Sequence, residues 1–93
     1  MAKTLYRTEN LELAALLRQL REEAGLVQTT LAERLGRNQT YVSNIELAIR
    51  RLDVVELRDY CSALDITLST FIEQWEARLG AAPKSKRRST RAR

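Results

Sequence analysis

Leu13, Leu16, Leu17, Leu20 and Ala24 recur at intervals of three and four residues, the repeat that lines side chains along one face of an α-helix. Arg18, Arg21, Glu22 and Glu23 are expected on the outer side of this first helix, with Thr8 or Asn10 capping its start and Gly25 ending it. A second, short helix should run from Gln28 to Leu35, turning Leu31, Ala32 and Leu35 inward and stopping at Gly36. Asn38 is a good N-cap for a third helix that runs to about Leu47 and buries Val42 and Ile45. Arg50 and Arg51 follow in a loop. Asp53 is placed to cap a fourth helix whose inward face is Val54, Leu57, Tyr60, Cys61 and Leu64. Near Leu68 or Ser69 a fifth begins, with Leu68, Phe71, Ile72, Trp75 and Leu79 on one stripe. The pattern predicts an all-α domain: a compact five-helix unit with a small core, marginal in stability unless a second subunit or partner adds burial.

Composition narrows this picture. The chain has 93 residues, enough for one small domain, with 44% apolar and 30% charged residues, a globular balance. There is no His, so a His-based triad, an imidazole base and a His metal ligand are all excluded. The single Cys61 has no partner for an internal disulfide and is too few for a thiolate zinc site. Cys61 is expected to be a buried inert thiol rather than a redox sensor. No nucleophile–base pair or metal constellation is present, so an enzyme is not expected, and no cofactor. The polar start (Lys3, Thr4, Arg7, Thr8) does not read as a signal peptide, and no window has the ~18 apolar residues of a membrane span. A cytoplasmic protein without membrane association is expected.

The net charge of +4 is unevenly distributed. Residues 1–79 carry 10 bases against 12 acids, a net −2, whereas Lys84, Lys86, Arg87, Arg88, Arg91 and Arg93 give residues 80–93 a net +6. That tail has no large apolar residue to repay the entropy of ordering, so it is expected to be disordered. It reads as a non-specific nucleic-acid arm, with a solubilising extension as the alternative. The expected organisation is an N-terminal arm over 1–9, a helical domain over 10–79 and the basic tail over 80–93.

Two short helices joined by a tight, Gly-containing turn have the geometry of a helix-turn-helix, here over about 28–47. The elements Gln28, Leu31-Ala32, Leu35-Gly36, Asn38, Gln39-Thr40, Tyr41-Val42-Ser43 and Ile45-Glu46 stand in the order and spacing of one family's motif. In them the chain resembles the phage repressor/Cro family, the XRE-like regulators, over about residues 11–72. The third helix also shows solvent a row of uncharged hydrogen-bonding side chains, Gln39, Thr40, Ser43 and Asn44, suited to base edges in a major groove. A merely solvated face would usually be richer in Glu and Lys.

The resemblance implies a lambda-repressor-like fold and gives roles to individual residues. Gln39, Thr40 and Asn44 occupy base-reading positions. Gln28 matches a residue that bonds the DNA backbone and braces Gln39. Asn38, Tyr41 and Ser43 match phosphate contacts, and Arg37, Arg50 and Arg51 are candidate phosphate partners, with plain surface charge the alternative for the last two. Glu46 is commonly an internal polar partner in the family, and Arg34 is its candidate here. Four positions depart from the pattern: Val27 where a capping Thr or Ser is usual, Ala48 and Asp65 where Gly is common, and Leu52 where Pro is common.

Ile72, Trp75 and Leu79 continue the fifth helix's stripe past the expected core, which suggests a homodimer interface; the alternative is that Trp75 folds back onto the first helix. A dimer would set two reading helices one DNA turn apart, roughly 34 Å, on a palindromic operator. The reading is a sequence-specific, double-stranded-DNA-binding regulator, most simply a dimeric repressor, bacterial or phage-encoded and nucleoid-associated. The alternative is an antitoxin or a restriction–modification controller whose fifth helix or tail also binds a protein, such as a toxin or the transcription machinery.

Overall fold

A computed structural model describes residues 7–80. The tail cations Lys84, Lys86, Arg87, Arg88, Arg91 and Arg93 and most of the expected N-terminal arm lie outside the described residues. Five α-helices follow one another: α1 (Thr8–Glu23), α2 (Gln28–Leu35), α3 (Gln39–Glu46), α4 (Val54–Ala63) and α5 (Leu68–Gly80). The second and third match the expected spans closely, because the signals that bound them are local.

The first four helices end in the same way. Behind each, one residue turns left-handed: Gly25 at φ 76°, Gly36 at 68°, Ala48 at 63° and Asp65 at 63°. Each turn then donates two backbone N–H groups back to the last helical turn, as in Gly25 N to Glu22 O (3.0 Å) and Leu26 N to Arg21 O (3.1 Å). Gly25 and Gly36 take this conformation without steric cost, whereas Ala48 and Asp65 carry a Cβ that makes it unfavourable by about 1–2 kcal/mol. So the two positions that depart from the family's glycines keep the backbone that glycine would have used.

The helix starts are less uniform. Asn38 Oδ1 accepts from Tyr41 N at 3.1 Å, and Asp53 with Glu56 closes a full capping box on α4. Val27 leaves α2 without a side-chain cap, as its apolar side chain requires. The expected cap on α1 is corrected: Thr8 and Asn10 lie inside the helix, and Arg7 stands at the N-cap without a side-chain cap bond. Asn10 Nδ2 instead donates to Ala48 O at 3.5 Å, tying the first helix to the turn after α3. Thr8 and Glu9 therefore belong to the helix, not to an arm, and Gly80 belongs to α5 rather than to the tail.

The core gathers one stripe from each helix: Leu16 and Leu17, Leu31 and Ala32, Val42 and Ile45, Leu57, Tyr60 and Cys61, and Phe71. α2 packs against α3 and α4, and α1 against α3 and α5. Cys61 is fully buried, and burial pushes its thiol up to about 11, as fits an inert core residue. Two expected core residues are exposed. Ala24 has already left the helical stripe at the C-cap, and Val54 is 64% exposed because it is the first residue of α4, a turn before the packed part.

Arg21, expected on the outer side of α1, is buried at 8% exposure. It falls on the same stripe as Ala14 and Leu17, so its side chain enters the interior and needs a partner there. Trp75 packs back onto α1: its indole N–H donates to Glu9 O at 3.0 Å. Arg78 reinforces that docking by donating to Glu12 Oε1 and Gln19 Oε1, each at 2.8 Å. Ile72 and Leu79 are half-buried on the same side. Most of the apolar stripe assigned to a dimer contact is thus spent within the monomer, because α5 is long enough to lie along α1. Among the described residues no helix is long and apolar enough to cross a membrane.

Candidate nucleic-acid interface

The turn between α2 and α3 is compact because small and branched side chains let the two helices cross closely. Leu31, Ala32, Val42 and Ile45 are all at most 2% exposed. With that side of α3 locked inward, Gln39 and Thr40 are left exposed, and Ser43 and Asn44 half-buried, along the other side. The four sit one turn apart in two adjacent pairs, so they share a face about two turns long.

A buried ion pair stands beneath this face. Arg21 donates from Nε to Glu46 Oε2 at 2.6 Å and from Nη2 to Glu46 Oε1 at 3.0 Å, a bidentate contact, while its Nη1 donates to Leu26 O at 2.8 Å. The Glu46 side chain is 4% exposed. This corrects the expected partner of Glu46. Arg34 lies on the outer side of α2 and donates instead to Ala63 O at 3.0 Å, joining α2 to the end of α4. Donating its hydrogen bonds to Glu46 raises the Arg21 pKa above its ordinary value, so the guanidinium stays charged.

The pair extends to the surface. Gln28 donates from Nε2 to Glu46 Oε1 at 2.9 Å, and Gln39 donates from Nε2 to Gln28 Oε1 at 3.1 Å. A carboxylate only accepts, so the Gln28 amide must present nitrogen to Glu46 and oxygen to Gln39. Gln39 is oriented in turn: its Oε1 and its second Nε2 hydrogen remain for a ligand. One acceptor beside one donor is the complement of adenine N6–H and N7. The chain Arg21–Glu46–Gln28–Gln39 thus carries order from the core to the exposed row.

A second cluster flanks the row. The guanidiniums of Arg37 and Arg50 lie over the Tyr41 ring, with Cζ 4.1 and 4.7 Å from its centroid. Arg50 also donates from Nη2 to Glu56 Oε2 at 3.1 Å, and Arg37 Nη2 stands 3.8 Å from the same oxygen. The Arg50 hydrogen bond, with one from the Asp53 backbone, holds Glu56 below the usual carboxylate range. Desolvation pushes the Tyr41 phenol up. Of the seven residues matched to phosphate contacts, Arg37, Tyr41 and Arg50 are therefore brought together, and Asn38 is turned to capping α3. Arg51 is not brought with them: it lines a shallow cleft with Arg7, Glu9 and Trp75 on the side of α1 and α5.

Two residues of this site were not singled out from the sequence, Arg21 as an internal anchor and Glu56 as a partner of arginines. Each had a local signal. Arg21 interrupts an apolar stripe at helical spacing, and Glu56 stands three residues after Asp53, the capping-box spacing.

A family model described as a helix-turn-helix domain matches residues 12–70. No curated protein sequence matches the chain. Among solved structures, an XRE-family like protein from Pseudomonas syringae pv. tomato str. DC3000 is 39% identical, over 83% of this chain and 94% of that one, with a TM-score of 0.73. The wild-type restriction-modification controller protein C.Esp1396I is 24% identical over 77% and 95% of the two chains, at TM-score 0.73. The clp gene regulator ClgR from C. glutamicum is 23% identical over 74% and 88%, at TM-score 0.69. At those lower identities the likeness is one of fold.

Proposed function

The chain belongs to the XRE-like helix-turn-helix family, and from that premise we propose that it is a sequence-specific regulator of transcription that binds double-stranded DNA as a homodimeric repressor. In this reading α3 enters the major groove. Gln39, Thr40 and Asn44 read bases, while Gln28, Arg37, Asn38, Tyr41, Ser43 and Arg50 hold phosphates, which positions the protein without specifying sequence; Arg51, beside Trp75, stands apart from them. The tail cations from Lys84 to Arg93 add affinity for any duplex. The chain acts by binding rather than by catalysis, in the cytoplasm and on the nucleoid.

The observation that carries the reading is the relay from Arg21 through Glu46 and Gln28 to Gln39. A solvated helix face has no need of a glutamine oriented by a buried ion pair. An amide offered to a base gains from it, since less rotamer entropy is lost on binding.

The dimer face is proposed on exposure. Ile72, Trp75 and Leu79 are partly used by α1, whereas Leu47, Ile49, Val54 and Val55 are between 50% and 68% exposed and flank the end of α3 and the start of α4. A second copy on that side would bring the two reading helices toward a common axis, as a two-fold operator demands. Selection of bound sites from random DNA, followed by footprinting, tests the proposal. Enrichment of a palindrome with one-turn half-site spacing is expected; recovery of random sequence would refute base reading.

A restriction–modification controller is the second reading, favoured by the fold shared with C.Esp1396I, whose tetramer is described in complex with its natural 35 base-pair operator. Occupation of a site upstream of a neighbouring restriction gene would favour it. A protein partner such as a toxin would instead appear as a stable complex with α5 or the tail.

A further inference from the structure

The start of α4 carries a charge that its cap does not require. Asp53 Oδ1 accepts from Glu56 N at 2.7 Å, and Glu56 Oε1 accepts from Asp53 N at 3.0 Å, which closes the capping box. Glutamine at this position closes the same box. The second carboxylate oxygen is turned away from the cap, toward Arg50 Nη2 at 3.1 Å and Arg37 Nη2 at 3.8 Å. Both guanidiniums also lie over Tyr41. Three successive segments thus converge: the turn before α3, the loop after it and the first turn of α4. The arginine side chains are 46% and 37% exposed and Glu56 only 23%, so the carboxylate is set deeper than either cation.

We propose that Arg37, Tyr41 and Arg50 form a composite seat for one backbone phosphodiester of duplex DNA, and that Glu56 is its internal counter-ion. This deepens the DNA-binding reading and rests on it. Glu56 acts as a positioning residue with two opposed effects. It holds both guanidiniums over the tyrosine ring, which reduces the ordering needed when a phosphate arrives. Its negative charge also opposes the phosphate, whatever the base sequence. The seat therefore registers the protein on the backbone while limiting its hold on random DNA, an arrangement suited to a helical domain whose net charge is negative.

The test is Glu56→Gln in the full chain, which keeps the acceptor for Asp53 N and removes the charge. Binding is measured by fluorescence anisotropy on a selected site and on a random-sequence duplex across a salt series, with folding followed by circular dichroism. Affinity should rise about two- to fivefold on both duplexes, the range expected for releasing an exposed ion pair. The slope of log affinity against log salt should steepen by up to ~0.9. In Arg37→Gln/Arg50→Gln chains the same Glu56→Gln change should give no gain. Unchanged or weaker binding by folded Glu56→Gln overturns the proposal, and so does a gain that persists without the two arginines. If Glu56→Gln does not fold, Arg50→Gln leaves the capping box intact. It should weaken both duplexes alike with a slope shallower by up to ~0.9, and an unchanged slope overturns the seat. A wild-type chain with no duplex affinity at low salt overturns this and the DNA-binding reading together. Base-selective wild-type binding with a flat response to Glu56→Gln overturns this alone.

Discussion

Replacing Arg21 with Met separates what the buried ion pair contributes to stability from what it contributes to reading DNA. Methionine fills much of the volume of the arginine stem but leaves the Glu46 carboxylate, 4% exposed, without its bidentate partner, and Leu26 O without its donor. Breaking a buried pair from one side typically costs about 3–5 kcal/mol. A domain of this size has a total stability of only about 4–11 kcal/mol. Urea unfolding should show the loss plainly: at a slope of ~1 kcal/mol/M, the midpoint falls by about 3 M or more. In Arg21→Met/Glu46→Leu no charge is stranded, so most of the stability should return. Base discrimination should not return, because Gln28 Nε2 is then without the acceptor that sets its amide and hence the orientation of Gln39. The readout is affinity for a selected site against a variant of it at the base facing Gln39, measured in both proteins well below their unfolding midpoints. A cost below ~1 kcal/mol for Arg21→Met would refute the energetic argument. Full discrimination in the double variant would refute the relay.

Three further outcomes are expected. Gln39→Ala and Asn44→Ala should each cost ~1–3 kcal/mol on the selected site and relax base preference there, measured by competition; equal losses on unrelated DNA would refute base reading. Deleting residues 81–93 should weaken binding to all duplexes and flatten the salt dependence by up to ~0.9 for each phosphate the tail had neutralised, and an unchanged slope would remove the tail from DNA. Stability should hold up to about pH 9 and fall as pH rises toward 11: the folded state keeps the Cys61 proton to about 11, so above the unfolded value near 9 only the unfolded chain gains by ionising. Tyr60, also raised by burial, acts in the same direction at higher pH. Urea unfolding at several pH values should show this decline in the native chain and less of it in Cys61→Ala.

The helices were legible because their determinants are local. Leu13, Leu16, Leu17 and Leu20, like Leu57, Tyr60, Cys61 and Leu64, stand at helical spacing, and Gly25, Gly36, Asn38 and Asp53 mark ends by their own conformational and capping preferences. Ala48 and Asp65 show that a turn can keep its left-handed geometry without glycine when the backbone hydrogen bonds on either side close it. The exposed row on α3 was legible for the same reason: once Val42 and Ile45 face inward, the helical period places Gln39, Thr40, Ser43 and Asn44 outward.

The partners of the charged and aromatic side chains were not legible, because partnership depends on how helices cross. The motif points Glu46 to Arg34 and the stripe of α1 points Arg21 outward, and only the packing of α1 against α3 brings Arg21 to Glu46 instead. Trp75 continues a stripe equally well for a second subunit or for α1, and the docking of α5 along α1 assigns it to Glu9. Adjacent Arg50 and Arg51 diverge, one to Tyr41 and Glu56 and the other to the cleft beside Trp75, since consecutive loop residues need not share a side. By itself, then, the sequence determined the five helices, the family and the outward row on α3, all of which follow from spacings within a few residues. Only the tertiary structure decided which charges meet, because a Coulomb or hydrogen-bond partner is chosen by distance in space, and that distance is set by the packing of the apolar stripes.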